Sequence, residues 1–248
     1  MIKKKIEKSI YFILLSMLAL LWIAPLYFVF INASKTMPDF TSSKFWHLPS
    51  EWAIWTNIQE VFVRTELGPG FINSMLYSTL GAGIAIFLAA LAAYGLTYLN
   101  IKGSFYWFLL IYSGTLFPFQ MYLIPLFKMY SSANLYNTFT GMLLFYIAIC
   151  IPFCLFVLRN FYKTLQKEVV EAARLDGCSD FRIFAYIFVP QSLPPFLVLF
   201  LFQFTWVWND LIFGLVLSQS VSVRPIMASL SDNFNTVRIL SNGNVSRM

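Results

Sequence analysis

Two groups of residues in this 248-residue chain carry polar chemistry where little else does. The first is Glu171-Ala172-Ala173, followed by Arg174, Asp176 and Gly177, in the segment EAARLDGCSDFRIFAYIFVP that ends at Pro190. A carboxylate beside two small side chains is docking chemistry. Alanine lets another protein's surface come near the backbone, and Glu171 offers its charge to a partner's arginine. The second group lies inside apolar runs: Asn73, Tyr77, Gln120, Gln203, Trp206, Asn209 and Asp210. Such side chains are costly at membrane depth and mark a pathway for a polar solute. Gln203, Trp206 and Asp210 recur at helical spacing, on one side of a helix. An aromatic face that stacks on a sugar ring, beside groups that bind hydroxyls, is the chemistry of a sugar path. The competing reading is structural: Trp206 and Trp208 in an aromatic belt, and Asn209-Asp210 as a hydrogen-bond node between helices.

The elements that hold these residues are set by composition. The chain is 59% hydrophobic and only 11% charged, against about 25% charged in an ordinary soluble domain. The bilayer is its natural solvent. Five runs are free of charge for long enough to cross it, at about 10–31, 71–98, 105–127, 139–158 and 183–218. The first follows Lys3, Lys4, Lys5 and Lys8 and lacks a small-residue cleavage pattern, so it reads as a retained span. The second carries Gly81, Gly83, Ala85, Ala89, Ala90, Ala92, Ala93 and Gly95, small residues that let helices approach closely. The fifth is too long for one straight crossing. Pro190, Pro194 and Pro195 in its first half predict a bend that faces the bundle interior. The expected fold is an all-α polytopic transmembrane helix bundle forming a single domain over 1–248, with an outer segment at 219–248.

Lys and Arg set the orientation. With the N-terminus in the cytoplasm, the shorter inside segments hold Lys3, Lys4, Lys5, Lys8, Lys102, Arg159, Lys163, Lys167, Arg174 and Arg182. Basic density then favours this placement. The net charge of +6 is explained the same way, and nucleic-acid binding is not expected. Between the fourth and fifth runs, a cytoplasmic helix is expected over about 164–178. Thr164 would cap it, with Glu168 in its first turn. Leu165, Val169, Ala172, Ala173 and Leu175 form its apolar side, and Gly177 stops it. On the outer side, Phe45, Trp46, Trp52 and Trp55 suggest segments lying along the interface. Cys150, Cys154 and Cys178 have neither metal nor disulfide spacing, and His47 stands alone in a loop. No catalytic, metal or cofactor-binding residues stand out, and there is no G-x-x-x-x-G-K-[ST] loop. A membrane-embedded enzyme would have to rest on Asp210 and His47, which are poorly placed to meet.

The spacing Glu171-Ala172-Ala173, three residues, Gly177, nine residues, Ile187, Phe188, Val189-Pro190 resembles the EAA loop of the permease subunits of bacterial ABC importers, with Val189 in place of leucine. The continuation ARLDG, with FINSMLYST, AAYGLTYLNIKG, LFPFQMYLIPLF and WNDLIFGLVL in order, is similar to the carbohydrate-uptake branch of maltose-type permeases. The resemblance implies a multi-pass subunit of the bacterial cytoplasmic membrane. Glu171, Ala172, Ala173, Arg174, Asp176, Gly177 and Pro190 would couple it to ATPases. Its partners would be a second permease, two ATPase subunits and an extracellular or periplasmic sugar-binding protein. ATP and magnesium would be held by the ATPases and no cofactor by this chain. The family has a sixth span and a cytoplasmic tail. RPIMASLSDNFN resembles the start of the outer loop before that span, so the resemblance implies five spans and a truncated or incomplete copy. Two alternatives stay open: a non-transporting subunit that only binds the ATPase, and a permease for a non-sugar solute such as glycerol phosphate or polyamine.

Overall fold

The computed structural model describes residues 2–64 and 67–232, with side chains over 7–62 and 67–232. The part of the expected outer segment beyond 232 lies outside the described residues. The chain forms two compact units, 1–65 and 66–248.

The first unit is built on α1 (Ile2–Ala33). Its stretch Glu7–Ala33 is long and apolar enough to cross a bilayer. Apolar side chains project all round it, as a span facing lipid or other helices requires. A small cap closes its C-terminal end, with the short helix α2 (Met37–Ser42) and the amphipathic helix α3 (Ile54–Arg64). Two asparagines tie the cap together. The Asn32 Nδ2 donates to the carbonyls of Phe28 and Phe45, both at 2.8 Å. The Asn57 Nδ2 donates to those of Ala33 and Lys35, also at 2.8 Å. Outside these bonds, Trp46, Trp52 and Trp55 are exposed on the cap.

The second unit is organised by α4 (Leu67–Tyr98) and α7 (Phe139–Tyr162). These helices run parallel. The Tyr77 ring meets those of Phe139 and Tyr146 at 4.8 and 5.6 Å near one end. At the other, the Tyr98 hydroxyl donates to the Tyr162 carbonyl at 2.9 Å. Small residues make the approach possible. Gly81, Ala85, Ala89, Ala90, Ala93 and Gly95 are buried, while Ala92 is half-buried and Gly83 exposed. A Cβ added at Gly81 would lie 3.2 Å from the Tyr146 Cβ, so the seam has no room for a larger residue there.

The remaining spans are broken. The run expected at 105–127 is α5 (Ser104–Tyr112), extended by a 3-10 turn to Thr115, then a second 3-10 turn Phe119–Tyr122 leading into α6 (Leu123–Ser132). The two halves meet at 88°. Pro118 sits in the gap with ψ 122°, outside helical values.

The run expected at 183–218 begins as α9 (Asp180–Ile183), a π-helical turn Phe184–Phe188 and α10 (Val189–Gln191). It then bends by 72° at Ser192 into α11 (Leu193–Trp208). Pro194 and Pro195 lie in the first turn of α11, where no intrahelical donor is lost. They start the new helix. The Ser192 hydroxyl donates to the Phe188 carbonyl at 2.6 Å and lies 3.2 Å from the Tyr162 hydroxyl, which holds the corner against α7. The chain breaks once more after Trp208, and α12 (Ile212–Leu217) is separate. The expected bend is present, but the run is two helical arms, Asp180–Gln191 and Leu193–Trp208, and a final short helix. α11 packs on α4 in the opposite direction, with Phe71 against Trp208 at 5.2 Å.

Candidate docking helix and membrane cavity

The stretch around Glu171 forms the helix α8 (Lys167–Leu175). It starts later than the expected 164, because Gln166 occupies the N-cap position. The Thr164 hydroxyl instead donates to the Phe161 carbonyl at 2.7 Å, within the turn that ends α7. At the other end Gly177 has φ of 80°. The Cys178 amide donates to the Ala173 carbonyl and the Gly177 amide to the Arg174 carbonyl, both at 3.0 Å. This pair of bonds is the Schellman arrangement, which requires a left-handed residue just past the helix end.

The sequence merges two apolar stripes on α8 that the structure separates. Val170 is buried and Ala173 half-buried, and they pack with Leu165 onto the core. Val169, Ala172 and Leu175 form a second stripe three residues apart and are exposed, Leu175 by 89%. Glu171 is exposed beside Leu175. The outward face of α8 therefore offers a carboxylate, an alanine and a bare leucine.

Arg174 links α8 to its neighbouring elements. Its Nη2 donates to the carbonyl of Tyr98, the last residue of α4, at 3.1 Å, and to the Asp180 Oδ1 at 2.9 Å. The hydrogen bond to Asp180 raises the pKa of the Arg174 guanidinium above its ordinary value. The Tyr94 hydroxyl donates to the same Oδ1 at 3.2 Å. Sequence reasoning assigned Arg174 to docking and missed this bonding. The available signal was an arginine and an aspartate six residues apart across a helix-stopping glycine. Asp176 is exposed at the C-cap, and Pro190 lies in α10 on the approach to the bend.

The polar residues of the spans fall into two places. Trp206, Asn209 and Asp210 line an open cavity of about 810 Å³ with Phe119, Phe202 and Thr205. Gln203 lines an adjoining space of about 330 Å³ with Thr115, Tyr122 and Phe153, and Trp206 forms a wall of both. A mostly apolar chamber with a few polar groups is the usual form of a small-molecule site. Gln120 is exposed in the 3-10 turn beside the break, next to Phe119 in the cavity wall.

Asn73 and Tyr77 line neither space. The Asn73 amide donates to the carbonyls of Ser222 and Arg224, both at 3.1 Å, and the Tyr77 hydroxyl to that of Val223 at 2.9 Å. The Ser74 hydroxyl accepts from the Ile226 amide at 2.8 Å. These polar groups latch the segment 221–226 onto the start of α4. Asp210 plays both parts. It faces the cavity, yet its carboxylate accepts from the Tyr146 hydroxyl at 2.9 Å and from the amides of Phe213 and Gly214 at 3.3 and 3.1 Å. The hydrogen-bond node considered at this position is present at Asp210, tying α7 and α12 to the break after α11. The Asn209 amide donates back to the Thr205 carbonyl at 2.8 Å.

Comparison with known proteins agrees with this architecture. The chain is 33% identical over 221 residues to the osmoprotective compounds uptake permease protein GgtD of Synechocystis sp., covering 87% of this chain and 74% of that one. It is 34% identical over 165 residues to the alpha-glucoside transport system permease protein AglG of Rhizobium meliloti, covering 64% and 43%. Its fold matches a chain in the crystal structure of a bacterial ABC transporter involved in the import of the acidic polysaccharide alginate. That match has a TM-score of 0.80 and 21% identity, and covers 92% and 80% of the two chains. The family model described as the binding-protein-dependent transport system inner membrane component matches residues 85–241, which include α8, its Gly177 stop and the cavity-lining α11. That match spans more than half of the chain, and the chain belongs to the family of binding-protein-dependent transport system inner membrane components.

Proposed function

We propose that this chain is a permease subunit of an ATP-driven importer for a sugar or oligosaccharide. It forms the path across the bacterial cytoplasmic membrane with a second permease and has its N-terminus in the cytoplasm. An external sugar-binding protein delivers the solute, and ATP and magnesium act in two partner ATPases. The observation that carries the reading is the outward face of α8. Val169, Ala172 and Leu175 are bare of cover, Glu171 stands beside them, and the helix behind them is anchored to two spans. An exposed apolar stripe on a short, tied-down helix fits a cleft on another protein. The names of AglG and of the alginate importer support a carbohydrate cargo. So does a chamber whose wall sets Trp206 beside Asn209 and Thr205. The name of GgtD supports a second reading, in which the cargo is a smaller osmoprotective solute.

Glu171→Arg tests the docking role. Co-purification of the ATPases should fall at least about tenfold, because a like charge set against a partner's arginine costs several kcal/mol, while the chain stays in the membrane fraction. A variant complex that retains its ATPases and hydrolyses ATP under substrate control refutes it. Uptake of labelled oligosaccharide and of labelled osmolyte into reconstituted vesicles separates the two cargoes.

A further inference from the structure

The docking face of α8 must act on the bundle through something, and the covalent path is a poor candidate. From α8 the chain turns through Gly177, at φ of 80° and with nothing within 4 Å of where a Cβ would stand, before α9 begins at Asp180. The turn's two hydrogen bonds fix Gly177 and Cys178 to α8, so the pivot is the extended Ser179 beyond them, where one helix can swing while the next stays still. The non-covalent path is more direct. Arg174 reaches across the pivot with both Nε and Nη2 to the Asp180 Oδ1, at 3.3 and 2.9 Å, and from Nη2 to the Tyr98 carbonyl at 3.1 Å. The Tyr94 hydroxyl joins the same carboxylate oxygen at 3.2 Å. One oxygen thus collects a helix of the docking surface, the end of α4 and the start of the broken span.

We propose that Arg174 and Asp180 are a positioning pair that transmits displacement of α8 to α4 and to α9–α11. The pair does not belong to the docking contact. This inference rests on the docking role of α8 proposed above. Their side chains are 42% and 48% exposed, and an ion pair that open adds little to stability. Val170 and Ala173 still hold α8 against the core, so loss of the pair should leave the fold and the docking face in place and remove the polar linkage to α4 and α9.

The experiment uses the purified assembly of this chain with its ATPases in lipid nanodiscs. The half-buried Cys178 is replaced by serine, leaving the buried Cys150 and Cys154. Thr205→Cys then reports cavity access through its rate of maleimide labelling, with and without ATP–vanadate. In the parent, trapping should change that rate about fivefold or more, the ordinary size of an allosteric coupling. Arg174→Ala and Asp180→Ala should each reduce the change to under about twofold with the ATPases still bound. The double variant should be no worse than either single one, as for two residues acting as one unit.

The inference is overturned if either single variant keeps the parent's response, if the two effects multiply, or if the ATPases dissociate only in the variants, which would make the pair part of the docking contact. A parent that keeps its ATPases but shows no nucleotide dependence also overturns it. A parent that fails to hold ATPases removes the docking reading itself.

Discussion

Gly177→Ala isolates the backbone of the α8 turn from its contacts. A Cβ at Gly177 would meet nothing within 4 Å, so the substitution creates no clash. What remains is conformational. Gly177 has φ of 80°, and a left-handed residue with a side chain costs roughly 1–2 kcal/mol. That corresponds to about a tenfold shift in the closed–open balance of the turn. The amides that report it are those of residues 177 and 178, which bond to the carbonyls of Arg174 and Ala173 at 3.0 Å. Hydrogen exchange followed by mass spectrometry over peptides spanning 174–183 should show these amides exchanging about tenfold faster in the alanine variant. Asparagine tolerates the left-handed region better, so Gly177→Asn should give a smaller acceleration. Exchange beyond 200, in α11, should not change. Unaltered exchange at 177 and 178 in Gly177→Ala would refute the assignment of the turn, and equal acceleration in both variants would refute its conformational cause.

Two further outcomes bear on the bundle. Gly81→Leu forces a side chain into a seam where even a Cβ lies 3.2 Å from that of Tyr146. It should cost about 1–3 kcal/mol and lower the thermal unfolding midpoint in detergent. Gly83→Leu, on an exposed face with nothing near it, should stay within about 0.5 kcal/mol of the parent, and equal midpoints for the two variants would sink the seam argument. Asp210→Ala leaves the Tyr146 hydroxyl and the amides of Phe213 and Gly214 without their acceptor. Such a loss costs about 1–3 kcal/mol and should open α12 to limited proteolysis, whereas Asp210→Asn, which keeps an acceptor oxygen, should protect it.

Much of this architecture was legible because membrane and helix-end rules act locally. An uncharged run long enough to cross hydrocarbon is read directly from composition, as in α4 and α7. A glycine after a short amphipathic stretch stops the helix through its own backbone freedom, as Gly177 does. The faces were harder. Residues 169 to 175 hold apolar side chains on two adjacent stripes, and helical period alone does not say which one is covered. That choice is made by the core that holds Val170 and Ala173 together with residues of α4, α7 and α11, many of them far away in sequence. The polar residues of the spans divide for the same reason. Asn73 and Tyr77 signal that a polar partner is needed at membrane depth. Their partners are backbone carbonyls of 222–224, and no side-chain pattern announces a carbonyl. The prolines of the fifth span foretold a bend, but Pro194 and Pro195 seat themselves at a helix start, and the corner falls on Ser192.

The parallel pairing of α4 and α7 has a mechanical consequence. Its glycine and alanine contacts bring two backbones so close that sliding one past the other would collide at Gly81 and Tyr146. That pair is a keel. The chamber wall is drawn from the jointed pieces instead, Phe119 beyond one corner and Trp206 beyond the other. Any swelling or narrowing of the chamber would then be absorbed at the two elbows, around 116–118 and at Ser192, with the keel still packed.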